Sequence, residues 1–300
     1  MIKEETIALF RVKPGTNVRL KDHDPAWTGT KEMQQLGKDE LKDVAKKILR
    51  ENIEELAKTQ ELLYANDQYS VLIIVQAMDA AGKDGLIEHV MSGVNPQGCQ
   101  VFSFKKPSDE ELDHNFLWRC MKSLPERGRI GIFNRSYYEE VLVVRVHPEL
   151  LERQRLPPGK RNGKFWRKRY DDINAFEHHL VRNGTVIIKF FLHVSKGEQK
   201  KRFLERLDNP EKNWKFSEAD VAERKHWKKY MAAYDAAISA TSTKWAPWYI
   251  LPADHKLVTR AVAADIITAT IRQMKLKPPT VSPERRKALE EARQELLAEG

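Results

Sequence analysis

The sequence predicts an α/β domain built on a mostly parallel sheet in three layers. Five short apolar runs alternate with amphipathic stretches of helical period. The clearest of them, VLIIV at Val71 to Val75, is a continuous β-branched run rather than an alternating one, as a strand covered on both faces requires. That run also leads into a Gly-Lys loop from which a helical pattern departs, a strand–loop–helix order typical of such folds.

Each element has its own signal. Residues Met1 to Gly37 carry scattered Pro, Gly and Asp without a sustained period and read as an extended arm on the surface. From Lys38 to Tyr64, Leu41, Ala45, Ile48, Leu56 and Leu63 recur near every 3.6 residues, which predicts a helix. After Val71 to Val75, further strands are expected at Gln100 to Phe104, Arg129 to Phe133, Thr185 to Leu192 and Trp248 to Leu251. Ser108 with Glu111 and Ser195 with Glu198 have capping-box spacing and open helices after the second and fourth strands. Phe165 to Arg182 is another helix, stopped by Gly184. The main domain is expected over residues 38–277, and 278–300 as a charged helical tail suited to the surface or to contact between subunits. Two long segments, His147 to Lys164 and Asn209 to Phe216, fit either binding loops or solvated insertions.

Composition narrows the function classes. The chain has 300 residues, 41% hydrophobic and 32% charged, which suits a globular domain and neither a disordered nor a collagen-like chain. No apolar run reaches spanning length, and MIKEETIALF lacks the features of a leader, so a cytoplasmic protein with no membrane partner is expected. Cys99 and Cys120 make no metal spacing and read as small core residues. The 52 Lys and Arg exceed the 43 Asp and Glu, a net +9 that suits a polyanionic partner: nucleic acid, an anionic membrane or a phosphate-rich substrate.

The motif that chooses among these is Gln76-Ala77-Met78-Asp79-Ala80-Ala81-Gly82-Lys83-Asp84-Gly85. A loop between a buried strand and a helix start offers successive backbone N–H groups to an anion, and Lys83 adds a point charge. Ala81, Gly82, Asp84 and Gly85 are the accompanying phosphate-loop residues. Against G-x-x-x-x-G-K-[ST], Ala77 replaces the first glycine and Asp84 the hydroxyl residue. Carboxylates at 79 and 84 beside phosphates require a cation between them, so Mg²⁺ or Mn²⁺ is expected. At the end of the third strand, Asn134 and Arg135 should face the same crevice, Arg135 as a bidentate phosphate ligand. Arg202 and Arg206 lie on a helix followed by a basic loop, where arginines could close over a transferring phosphoryl group.

QAMDAAGKDG, GVNPQG, FNRSYYEEVLVVRVH, FFLHVSKGEQKKRFLERLDNPEKNWKF and APWYILPAD, in this order between Asn17 and Met274, resemble the second polyphosphate kinase family. The resemblance implies a thymidylate-kinase-like P-loop kinase fold with a five-stranded parallel sheet and a helical lid near residues 195–220. It implies reversible, Mg²⁺-dependent transfer of a terminal phosphoryl group from inorganic polyphosphate to AMP or ADP, with guanine nucleotides as further substrates. Asp79, Lys83 and Arg135 correspond to the family's catalytic positions, Asp79 as the carboxylate that holds the metal and Lys83 and Arg135 as phosphate-binding cations. Asn134, Glu139 and Glu140 resemble the third class, which accepts both AMP and ADP. Lys105, Lys106 and Arg145 are candidates for the nucleotide or polyphosphate track, and His147 and His193 read as structural histidines. A homo-oligomer, dimer or tetramer, is expected by the same resemblance. The competing readings are an ATP-dependent nucleotide kinase of the thymidylate kinase type and a basic nucleic-acid-binding module, the latter without any recognisable nucleic-acid motif.

Overall fold

The computed structural model describes residues 4–35 and 37–299. Five strands, β1 (Ser70–Ala77), β2 (Cys99–Ser103), β3 (Ile130–Asn134), β4 (Thr185–His193) and β5 (Trp248–Pro252), form one sheet in the order β2-β3-β1-β4-β5. Every pairing is parallel. β1 is buried along its whole length, which explains its uninterrupted apolar run. The chain leaves β1 for β2 and β3 on one side and then crosses to β4 and β5 on the other. The carboxyl end of β1 therefore lies at the switch point, where an open α/β sheet offers its crevice.

The longer helices are α1 (Glu4–Phe10), α2 (Lys38–Asn66), α3 (Lys83–Val90), α4 (Gly163–Arg182), α5 (Lys196–Asp208), α6 (Trp227–Thr241), α7 (Lys256–Gln273) and α8 (Pro283–Ala298), and shorter helical stretches, among them Asp109–Asp113 and Val143–Val146, lie between them. α2 and α7 pack together with Leu56 and Leu63 fully buried, and a buried hydrogen bond from Asn52 Nδ2 to Asp265 Oδ1 (2.9 Å) crosses their contact. Both capping serines hold: Ser108 Oγ accepts from Glu111 N and Ser195 Oγ from Glu198 N. Cys120 is buried and Cys99 half-buried; burial raises the Cys99 thiol to about 11 and the Cys120 thiol to about 12, as befits inert core residues.

The predicted extended arm is corrected. Residues 1–3 and 36 of that arm, and residue 300 of the tail, lie outside the described residues. The rest begins with α1 and buries Ile7, Phe10, Val12, Val18 and Leu20. Arg11 bridges antiparallel to Tyr249, and Val12 N donates to Trp248 O (2.8 Å), so the segment covers the open edge of β5. Its apolar residues follow no single period because they serve different neighbours, β5 and α6, which is why the sequence pattern hides them. The segment His147 to Lys164 is packed in its first half. It contains a 3-10 stretch (Pro148–Gln154) whose Leu151 is buried and whose Gln154 Nε2 donates to Glu140 Oε2 (2.6 Å).

Candidate phosphate-binding active site

Beyond Ala77 the loop turns twice through left-handed backbone, at Ala80 (φ 59°) and Gly82 (φ 107°). Alternation of this kind gathers consecutive N–H groups into an anion-binding concavity. Gly82 is the N-cap of α3 and supplies no capping side chain, so the first turn of that helix keeps its N–H groups for a ligand.

The loop is held from behind. Gln199 Nε2 donates to Asp79 O (2.8 Å); Arg202 Nη1 donates to Ala80 O (3.0 Å) and Ala81 O (2.8 Å). Arg202 Nη2 donates to Ala253 O (2.6 Å), and Nε to Glu198 Oε1 (2.8 Å). Only 4% exposed, Arg202 ties the loop to α5 and to the end of β5. It was expected on a mobile flap, yet its Nη donors are engaged with backbone carbonyls: it braces the loop. Lys83 Nζ is buried against Ala77 O (3.0 Å) and Met78 O (3.3 Å). Burial lowers its pKa, and Asp79 opposes that shift.

From β3, Arg135 enters with a left-handed backbone (φ 65°), an uncommon and costly conformation for arginine that aims its side chain over the loop. Arg135 Nη2 pairs with Asp79 Oδ1 at 2.9 Å. Beside it, Asn134 Nδ2 donates to Asp84 Oδ1 at 2.6 Å. Burial works against the Arg135 charge, but Glu139 and Asp79 outweigh it and hold its pKa above the ordinary value.

These groups line one cavity of about 960 Å³. Asp79, Ala81, Gly82, Lys83, Asp84, Gly85, Lys105, Lys106, Asn134, Arg135, Arg202 and Arg206 all reach it. Ten Lys and Arg side chains line it against five Asp and Glu, so much of the net +9 is concentrated here. An excess of that size in a partly desolvated cleft selects a multiply charged anion. The family model described as polyphosphate kinase 2 matches residues 39–279.

The chain belongs to the polyphosphate kinase 2 family.

An ADP-polyphosphate phosphotransferase of Rhodopseudomonas palustris is 56% identical over 86% of this chain and 90% of its own length. An AMP/ADP-polyphosphate phosphotransferase of Meiothermus ruber is 44% identical over 90% and 94%. A crystal structure of polyphosphate kinase 2 from Arthrobacter aurescens TC1 superimposes with a TM-score of 0.82 at 37% identity, over 94% of each chain. The fold is thus that of polyphosphate kinase 2 enzymes, and the chain is a phosphotransferase.

Two residues expected at the site lie elsewhere. Arg145 Nη1 donates to the Tyr170 hydroxyl, and the guanidinium stands over the Trp166 ring, outside the cavity. Glu139 sits behind the cations rather than in the cleft. With its amide turned so that the nitrogen faces the carboxylate, the orientation that also lets its oxygen accept from Ser136 N, Gln76 donates to Glu139 Oε1 at 2.8 Å. Burial raises the Glu139 pKa, and Arg135 and Lys83 pull it back in part. Glu140 is buried between Arg169 and Arg119, and His147 bonds Glu149 and Glu223, all apart from the cavity lining. Conversely, Lys256 and Arg260, one helical turn apart at the start of α7, line the cavity and escaped the motif reading. Their signal was positional: they follow the carboxyl end of a parallel strand. Of the two long segments, only Asn209 to Phe216 reaches the cavity, through Lys212, Trp214 and Lys215.

Among the described residues no three metal-ligating side chains converge. Asp79 nevertheless faces the cleft, and Asp220 feels it: burial and then the Asp79 charge raise the Asp220 pKa. Facing carboxylates in a phosphate cleft suit a hard cation, which takes one or two protein carboxylates and completes its shell with substrate oxygens.

Proposed function

We propose that this chain transfers the terminal phosphoryl group of inorganic polyphosphate to AMP and ADP, reversibly and by direct in-line displacement. The observation that carries the reading is the single cavity in which Lys83 and Arg135 meet cations from both flanks, Lys105 and Lys106 after β2 and Arg206, Lys212 and Lys215 after β4. Two phosphate chains laid end to end place their junction where charge compensation is densest. The names of the relatives, ADP- and AMP/ADP-polyphosphate phosphotransferase, support the same substrates.

In this mechanism Lys83 and Arg135 bind the transferring group and its neighbours, and the braced loop keeps their positions fixed, which is most of what phosphoryl transfer asks of a protein. Asp79 aligns Arg135 through their ion pair and would hold Mg²⁺, with Mn²⁺ as substitute; when bound, the cation neutralises developing charge on phosphate oxygens. Arg206, Lys212 and Lys215 cover the chain and exclude water. No residue forms a covalent phospho-intermediate. The likeness of Asn134, Glu139 and Glu140 to the third class supports acceptance of both AMP and ADP, and of these residues Asn134 lines the cavity. We read α8, which buries none of its residues, as a contact in a homo-oligomer, and the nucleotide substrates as fitting a cytoplasmic enzyme. No helix among the described residues is long and apolar enough to cross a membrane.

The test is product chromatography after incubation with long-chain polyphosphate, Mg²⁺ and either AMP or ADP. ATP from ADP, together with ADP and ATP from AMP, is expected. ATP from ADP alone overturns the dual-acceptor assignment, and phosphorylation only with ATP as donor overturns the reading altogether.

A further inference from the structure

We infer that Trp214 is the stacking platform for the nucleotide base, a subsite distinct from the phosphate-binding residues; this rests on the function proposed above. Trp214 is 78% exposed, the most exposed of the large apolar side chains among the described residues, yet it lines the phosphate cavity. An indole left in water at the mouth of a cationic cleft is costly, and a lysine there would serve a polyphosphate better. Polyphosphate offers no apolar or aromatic surface. The nucleoside is the part of either substrate with a π-face to lay on the ring.

The segment that presents Trp214 is built to hold it out. Asn213 Nδ2 donates to Arg206 O (2.7 Å) and Leu207 O (2.9 Å), and Arg206 Nη1 donates to Lys215 O (3.1 Å). Phe216 N donates to Asn213 O (2.9 Å), and the Phe216 ring stands edge-on to Phe203. The residues on either side of the indole are thus anchored to α5. Lys215 Nζ lies 4.8 Å from the ring centroid, which leaves the opposite face to a base. The other aromatic lining the cavity, Phe104, is engaged: it packs edge-on to Phe133 at 4.9 Å and lies under the Arg119 guanidinium. Stacking reads the π-face of a base rather than its edge, so this subsite explains binding of nucleotides as a class and leaves the choice of base to other groups.

The experiment compares wild type, Trp214→Ala and Trp214→Phe. Binding of ADP without polyphosphate is followed by calorimetry and by quenching of tryptophan fluorescence, with inorganic pyrophosphate as the probe that lacks a base. Trp214→Ala is expected to weaken ADP about tenfold or more, to leave pyrophosphate affinity and the KM for polyphosphate within about twofold, and to lose the ADP-induced quenching. Trp214→Phe should recover most of the ADP affinity. Equal weakening of ADP and pyrophosphate overturns the inference, because the indole would then only shape the lid. Unchanged ADP affinity overturns it too, as does a lower mass of Trp214→Ala in light scattering, which would make the indole a subunit contact. The wild type separates this inference from the reading beneath it: a wild type that binds ADP with quenching but makes no ATP from polyphosphate refutes the proposed reaction and leaves the base subsite standing.

Discussion

Two lysines sit inside this protein and do opposite work. Lys189, on β4, is fully buried and donates to Glu177 Oε2 (2.6 Å), the Tyr138 hydroxyl (2.9 Å) and Thr241 O (2.7 Å). Three protons meet three acceptors, and Glu177 Oε1 in turn accepts from the Tyr137 and Tyr138 hydroxyls. Lys83, at the end of β1, is also buried, but its protein acceptors are two loop carbonyls, and it faces the cavity. Burial lowers the pKa of both, and carboxylates oppose it, Glu177 in contact with Lys189 and Asp79 acting on Lys83 from further off. A buried ammonium whose proton shell is closed holds the fold, whereas one with a proton left over is placed for a phosphate.

The comparison is sharpened most by removing the charge network on the open side. Asp79→Ala should cut turnover by roughly 10³-fold or more while melting within a few degrees of wild type, since it unseats Arg135 and no core contact; polyphosphate-dependent ATP synthesis and a melting curve check both halves. On the closed side, Lys189→Met should destabilise by about 3–5 kcal/mol in urea titration, because buried Glu177 is left without its cation. Lys189→Met with Glu177→Leu should regain much of that loss, and turnover per folded molecule should survive in both.

A third buried base tests the same logic by pH. His193 is held neutral by burial, its pKa lowered to about 4 from 6.5. Between these values the unfolded chain binds the proton and the folded chain does not, so stability present above pH 6.5 is lost as the pH falls toward 4. The total is on the order of 3 kcal/mol, and His193→Gln should flatten that part of the Tm–pH curve. The smallest effect is expected at Arg145. Arg145→Ala should leave the KM for polyphosphate within about twofold and stability within roughly 1 kcal/mol, since it loses one hydrogen bond and a ring contact.

What the sequence revealed, and what it hid, divides along the same physical line. The inner strands were legible because a sheet covered on both faces demands continuous apolar runs, and the predicted ends of all five fall within two residues of those observed. Lys83, Asp79 and Arg135 were legible because a strand-to-helix loop and a strand end constrain what chemistry can sit there. Arg202 was legible as a cation near the site but not as a brace, since its partners at Ala80, Ala81 and Ala253 are distant in the chain and are backbone carbonyls, which no residue pattern advertises. Arg145 misled for the opposite reason: a basic residue beside a motif says nothing of the direction in which its short helix points it. The N-terminal segment was missed because its apolar residues answer to β5 and α6 rather than to a helical or strand period.

The most direct test of the account is the rate of ATP synthesis from ADP and polyphosphate by Lys83→Met, measured beside Lys189→Met and corrected for the folded fraction. The account predicts that Lys83→Met folds like wild type and loses roughly 10³-fold or more in rate, while folded Lys189→Met turns over near the wild-type rate. A Lys83→Met enzyme that keeps a tenth or more of the rate, or a folded Lys189→Met enzyme as impaired as Lys83→Met, would contradict it.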